Sequence, residues 1–403
     1  MSAATILGAA PRVQTQQIVE KPIHLLTLTP FYPAAQDDAS GCFISEPLLW
    51  LERKGVSNSV VAVQPVYRAR MRTNSSAPPA DWISYFALPG GFGLPTAGMF
   101  LYARLLSAIG RQHNSHHIDL IHAHGPLPCG HAAALLSREL KIPYVVSVHG
   151  LDAFSTAQVK GSAGKWCERI SRMVYRSASR VICVSGHVRD EVVARAETEC
   201  LTAVVYNGVD PTMFHPSLEN RNFEPVILSV GNLIPTKGHQ CLLHAMARLK
   251  QKFPTVTCQI IGDGPELSRL AALSDQLGIS SRVHFLGRQS RRAVADAFRQ
   301  CTVFALPSRY EGLGCVYLEA MSSEKSVIGC RGQGIEEIIH HGENGWLVAP
   351  ENVEELSSGL STLLENATLR KRIGSMARRT VLERLTLSHQ AERLTRIYRE
   401  GLQ

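Results

Sequence analysis

A chain of 403 residues has the length of two or three ordinary domains. Hydrophobic residues at 45% and charged residues at 19% exclude a disordered or fibrous chain. Forty-two Lys and Arg against 34 Asp and Glu leave a formal charge of +8, which points to an anionic partner: nucleic acid, a phosphorylated metabolite or an anionic membrane. Divided at residue 212, the first half carries 19 basic and 15 acidic residues (+4) and the second 23 and 19 (+4). The charge is spread evenly, and no basic tail marks a nucleic-acid binder.

Residues 1–21 read as a loose leader, because the apolar run Ala3–Ala10 is short and no basic residue precedes it. Short apolar runs then alternate with helical patterns. In the first half they are Ile23–Leu28, Ser59–Val63, Ile118–Ala123, Tyr144–Val148, Val181–Val184 and Ala203–Tyr206. Residues 64–95 read as irregular. After the turn-rich stretch Asn207–Pro211 a second series follows: Val226–Val230, Val256–Ile261, Val283–Leu286, Thr302–Leu306, Ser326–Gly329 and Trp346–Val348. Continuous apolar strands separated by helices predict parallel sheets covered on both faces. The fold class is therefore α/β, with two doubly wound, Rossmann-like domains over 22–212 and 213–385 and a ligand cleft at facing strand ends. No apolar run approaches the roughly 20 residues that span a bilayer. The ten cysteines are scattered without a C-x-x-C pair, which argues against zinc or disulfides and for a reducing, cytoplasmic setting.

The segment most informative about chemistry is 308–321, Ser-Arg-Tyr-Glu-Gly-Leu-Gly-Cys-Val-Tyr-Leu-Glu-Ala-Met. A strand ends at Leu306, a glycine turn with Gly312, Leu313 and Gly314 follows, and a helix starts near Gly314. Free N–H groups at such a helix start form an anion site. Glu311 and Glu319 flank it eight residues apart, about 12 Å if all eight were helical, too far for a glycosidase pair. They read as separate clamps for hydroxyls. A second phosphate candidate is Gly231-Asn232 through Lys237-Gly238, directly after a strand. Gly262-Asp263-Gly264 also follows a strand, but it does not continue as G-x-G-x-x-G, which disfavours a dinucleotide enzyme. In the first half, His149 ends an apolar strand before Gly150 and Asp152. His122 and His124 share one strand face without a third ligand at metal spacing, and read as polar cleft lining. Asp37 to Gly41 reads as a flexible loop over a ligand site.

Together these pieces resemble the retaining, nucleotide-sugar-dependent glycosyltransferases of family four, the group 1 glycosyltransferases of polysaccharide-biosynthesis type, with the GT-B fold. Glu311 to Glu319 is similar to that family's E-x7-E motif, and Gly334–Ile339 through Gly342–Val348 to the segment after it. Val205–Asp210 with Phe214 resembles the domain hinge, His149-Gly150 with Asp152 the first-domain histidine motif, and Gly41 the first-loop glycine. The resemblance implies that Glu319 holds the ribose of a UDP- or GDP-sugar and Lys237 the distal phosphates. It implies further that Glu311 with the 312–314 backbone holds sugar and diphosphate, that His149 reaches the sugar, and that Gly287-Arg288-Gln289 borders the base. No metal or other cofactor is implied, and 386–403 would be a helix crossing back to the first domain. Two departures stand out. Asn232 replaces the family's usual Arg, with Arg288, Arg309 or Arg331 as candidate substitutes. Ser322–Ser326 replaces its usual Ala, Gly and Pro.

The expected activity is sugar transfer from a nucleoside-diphosphate sugar to a glycan or lipid-linked hydroxyl acceptor, in cell-envelope or exopolysaccharide synthesis. A glycan phosphorylase, a GT-B sugar-nucleotide epimerase and a non-catalytic nucleotide-sugar-binding protein are the rivals. Lys165, Arg169, Arg172, Arg176 and Arg180 recur at helical spacing beside Trp166, Ile170, Met173 and Val174, so 165–180 is a candidate contact with an anionic membrane, peripheral at its inner face. No motif supports nucleic acid as a partner.

Overall fold

The computed structural model describes residues 21–402 except 36, 69–70, 74–76, 156–158, 197–200 and 218–223. The predicted leader, apart from Lys21, and Cys200 lie outside the described residues.

The first sheet contains β1 (Ile23–Thr29), β2 (Val56–Pro65), β3 (Asp81–Tyr85), β4 (Leu120–His124), β5 (Tyr144–Val148), β6 (Arg180–Cys183) and β7 (Thr202–Val204). The second contains β8 (Val226–Val230), β9 (Thr257–Ile261), β10 (Val283–Phe285), β11 (Val303–Ala305), β12 (Ser326–Cys330) and β13 (Trp346–Val348). Both sheets are parallel throughout, in the orders 3-2-1-4-5-6-7 and 10-9-8-11-12-13. The chain reverses direction across each sheet beside its first strand, and ligands in such sheets bind outside the carboxyl ends of the strands at that point.

Among the described residues twelve α-helices surround the sheets: α1 (Cys42–Glu52), α2 (Leu94–Ser115), α3 (His131–Leu140), α4 (Gly161–Ser177), α5 (Gly186–Ala196), α6 (His239–Leu249), α7 (Leu267–Gln276), α8 (Arg291–Gln300), α9 (Cys315–Ser322), α10 (Val353–Glu365), α11 (Ala367–Arg384) and α12 (Leu387–Glu400). Burial on both faces explains the unbroken apolar strands. Leu25 of β1 packs into the cluster with Ile44 and Leu48 of α1, whereas Leu26 and Leu28 join the cluster of α2 and α3.

Two expectations need correction. Residues 64–95 are not all irregular: β3 lies within them, in register Val61 to Asp81. It is an edge strand with Tyr85 its one buried residue, so it carries no continuous apolar run. The basic stripe 165–180 is not one helix face either. α4 ends at Ser177, Arg180 opens β6 and pairs with Glu400, and Arg172 pairs with Glu168. Ile170 and Val174 are core.

The chain passes between the domains twice, side by side. Val209 exchanges backbone hydrogen bonds with Leu385 and Leu387, at 3.0 and 3.1 Å. α12 then packs its Leu394, Ile397 and Tyr398 into the α1 side of the first domain. Tyr398 Oη lies 2.9 Å from His122 Nδ1 in the buried interior.

Candidate active site

The glycine turn after β11 positions the two carboxylates. α9 begins at Cys315 with Gly314 as its N-cap, and no side chain accepts from its first N–H groups. Glu311 therefore lies in the turn and only Glu319 is helical, so a 12 Å helical rise does not describe their separation. Their partners separate them instead. Glu311 forms an ion pair with Lys237, and Glu319 with Arg291. Glu319 is 2% exposed, and its Oε2 has no hydrogen-bond partner. A buried acceptor without a donor is costly, and it is the kind of atom a ligand hydroxyl satisfies. Gln333 lies against the same turn, where the Glu311 N–H donates to its Oε1 at 2.8 Å. Leu313, 1% exposed, anchors the turn in the core.

Gly312 brings the two domains into contact. A Cβ there would stand 2.3 Å from the His149 carbonyl oxygen, so any side chain would force this turn away from the first domain. The turn and the strand-end histidine thus meet backbone to backbone. Gly262 is tied equally closely to the loop carrying Asn232: its φ is 145° and a Cβ would lie 1.9 Å from the Gly231 oxygen. Gly41 caps α1 and its backbone adjoins Phe31 and Tyr32.

Asn232 is exposed in the loop after β8. Each of the three candidate substitutes is paired with an acid. Arg288 pairs with Asp37 across the cleft, Arg309 with Glu351 at 3.2 Å and Arg331 with Glu355 at 2.7 Å.

In the first domain, His149 Nε2 lies 3.1 Å from His124 Nδ1, and the two rings stack with centroids 5.3 Å apart. The His122 ring lies 4.2 Å from that of His124, tilted by 34°. Burial pushes His149 down to about 4, so it is a neutral imidazole near pH 7 and its unpartnered, buried Nδ1 is available to a ligand. Its backbone N–H donates to Asp152 Oδ1 at 2.9 Å. Burial pushes the Asp152 carboxyl up to about 6, against the pull of the backbone N–H groups it accepts from. Among the described residues no group of three or more His, Cys, Asp or Glu is placed to hold a metal ion.

Arg291 is the main residue missed from sequence. It is the first residue of α8, where a cation is disfavoured by the helix dipole. That misplaced charge, doubled by Arg292, was the available signal. Acids from the first domain compensate it. Glu46 of α1 accepts from Arg291 Nη2 at 2.8 Å, and Asp38 accepts from the Arg291 backbone N–H at 3.2 Å. The Phe214 ring lies 4.8 Å from the guanidinium carbon. Burial pushes Glu46 up while Arg291 pulls it down. A reciprocal cap lies on the other side of the interface. Glu337 of the second domain accepts from Gly186 and His187 N–H of α5 at 2.8 and 2.7 Å, and from Tyr206 Oη at 2.9 Å. Each domain thus caps a helix of the other with a carboxylate.

Comparison with known proteins places this geometry. Residues 49–213 match the family model for Glycosyltransferase Family 4, and residues 212–380 match that for Glycosyl transferases group 1. An uncharacterised glycosyltransferase of Methanocaldococcus jannaschii is 31% identical over 258 residues, covering 64% of this chain and 68% of that protein. The alpha-D-kanosaminyltransferase of Streptomyces kanamyceticus is 27% identical over 346 residues, covering 80% and 86%. Among solved structures, sucrose-phosphate synthase of Thermosynechococcus elongatus superposes with a TM-score of 0.74 at 19% identity, covering 94% of this chain and 98% of that one. Anabaena HepE, solved with UDP-glucose, gives 0.71 at 22%, covering 93% and 98%. The chain therefore belongs to the group 1, family four glycosyltransferases, and its two facing Rossmann-like domains have the GT-B fold.

Proposed function

We propose that the protein moves a sugar from a nucleoside-diphosphate sugar to a hydroxyl of a glycan or lipid-linked saccharide, with retention of configuration. The observation that carries this reading is the pair of carboxylate–cation couples, Lys237–Glu311 and Arg291–Glu319, set at the start of α9 against the His149 backbone. In the reaction the bond from the anomeric carbon to the diphosphate oxygen breaks, and its electron pair leaves with the phosphate. The acceptor oxygen forms the new bond and gives up its proton. Lys237 and the free N–H groups of α9 offset the charge of the departing diphosphate, so the reading calls for no metal. Glu319 Oε2 takes a ribose hydroxyl, and Arg288 borders the base. His149 Nδ1 and Glu311 hold the sugar. The UDP-glucose complex of Anabaena HepE supports a nucleotide-sugar donor. A role in envelope or exported polysaccharide synthesis, on the cytoplasmic side and peripheral to the membrane, completes the reading.

Asn232 favours a second reading, donor binding without turnover, because Arg288, Arg309 and Arg331 are each paired with a carboxylate. Diphosphate release from a panel of sugar nucleotides, with and without lipid-linked acceptors, separates the two. Transfer by the wild type, reduced about 100-fold or more in Lys237→Ala and Glu311→Ala with the fold intact, is the expected result. Nucleotide binding with no release from any donor would establish the second reading.

A further inference from the structure

The surface around α2 and the β2–β3 edge carries an arrangement that the donor site does not use. From residue 82 to 118 the chain contains no Asp or Glu. Within that stretch Phe86, Leu88, Phe92, Met99 and Phe100 are all exposed, Phe92 by 75%. Phe86 and Phe100 touch, with ring centroids 5.1 Å apart, so the apolar side chains after β3 and at the start of α2 form one patch. A contiguous exposed apolar patch marks an interaction surface.

The same face continues into a basic groove. Arg104 and Arg111 lie one and three turns beyond Phe100 on the outer side of α2. With Arg68 from the loop after β2 they line a cavity of about 540 Å³ against the outer edge of the first sheet. None of the three forms a salt bridge or hydrogen bond with a described side chain, whereas most arginines of the donor cleft are paired. The groove also contains Gln64, which is 3% exposed. One end of its amide reaches Ser84 Oγ at 3.4 Å and the other, buried, has no partner. Val66, exposed and next to Arg68, joins groove to patch: its N–H donates to the Tyr85 carbonyl, immediately before Phe86.

Uncompensated cations beside an uncharged aromatic surface match a bilayer with anionic headgroups. The phosphate pairs with guanidinium forks, and the rings enter the acyl boundary. We propose that this face, Arg68, Arg104 and Arg111 with the aromatic patch at 86–100, docks the protein on an anionic lipid bilayer. It replaces the stripe on α4, whose Ile170 and Val174 are core and whose Arg172 is paired. The patch starts at the carboxyl end of β3, on the cleft side of the first sheet. Docking there would present the first domain to an acceptor held in the membrane. This rests on the proposed function only for what the docking is for; the binding itself is separate from turnover.

Flotation of the full chain with vesicles tests it. Binding is expected to vesicles of phosphatidylcholine with about one-third phosphatidylglycerol, not to pure phosphatidylcholine, and to weaken as salt rises. Arg104→Glu with Arg111→Glu should weaken binding about tenfold or more, and Phe92→Ser with Phe100→Ser to a similar degree. All four positions are exposed, so unchanged melting curves are expected to exclude unfolding. Lys165→Glu with Arg169→Glu on α4 should leave binding unchanged. No flotation with anionic vesicles at low salt, or loss confined to the α4 variant, would overturn the proposal. Wild-type flotation by a protein that releases no diphosphate would sink the transferase reading alone and leave this one standing.

Discussion

Arg291 donates to Glu319 of its own domain and to Glu46 of the other, so one buried guanidinium joins the Glu319 carboxylate to the opposite wall of the cleft. It fills one oxygen of Glu319 and leaves Oε2 as the free acceptor. Arg291→Ala would strand two carboxylates at once. The expected stability loss is about 3–5 kcal/mol by calorimetry. Affinity for the preferred nucleoside diphosphate should fall more than tenfold in titration calorimetry. Arg291→Lys keeps the charge but not the fork, and should recover only part of each. Wild-type nucleotide affinity in Arg291→Ala would refute the positioning role.

Glu337 holds the domains together from the other side through three hydrogen bonds. Glu337→Ala removes a helix cap, with an expected cost of about 1–2 kcal/mol. Because the cap crosses the interface, the ligand-free protein should also open. Small-angle scattering should show a larger radius of gyration for the variant, which nucleotide brings back toward wild type. Identical scattering curves without nucleotide would count against an interdomain role.

Glu324 sits at φ 61°, in the left-handed region, in the loop between α9 and β12. It is exposed and forms no ion pair with a described residue. Glu324→Gly should raise stability by about 1 kcal/mol, seen as an upward shift of the melting temperature with unchanged activity. The backbone there cannot simply relax, because a Cβ on Gly374 would already stand 2.3 Å from the Glu324 oxygen. A lower melting temperature would show that the side chain matters more than the backbone.

Burial pushes His122 down to about 3, and His149 and His239 down to about 4. In the unfolded chain each takes up a proton near pH 6.5, in the folded protein only well below that. Stability from these groups is therefore complete above about pH 6.5 and is lost as pH falls toward 4. Asp152, raised to about 6, and Glu46, raised by burial, act in the opposite direction, while His124 and His131, also lowered by burial, add to the first three. The melting temperature should fall steadily from pH 7 to 5, and less steeply in His122→Gln. Equal slopes in the two proteins would be inconsistent with a neutral buried His122.

The strands were legible because burial on both faces makes runs such as Tyr144–Val148 apolar throughout, and β3 was not, because an edge strand with Asp81 and Ser84 need not be. The glycine turn at 312–314 and the carboxylates around it could be picked out because strand end, glycines and helix start are local in sequence. Arg291, Glu46, Asp38 and Glu337 are not local to anything they touch. Arg291 meets Glu46 across 245 positions and Gly186 meets Glu337 across 151, so only the folded chain pairs them. Fates of charges are equally nonlocal: Arg288, Arg309 and Arg331 were candidate phosphate ligands until their acids were located.

The docking of α12 on α1 also sets an order of events during synthesis. Ala391, Leu394 and Tyr398 belong to the core of the first domain, yet the ribosome makes them only after every strand of the second. Until then α1 covers that face of the first sheet without its partner helix, so the face waits partly open while the second domain is translated. Holding that apolar face in the meantime is work for a chaperone, and a stalled or shortened product would expose it permanently.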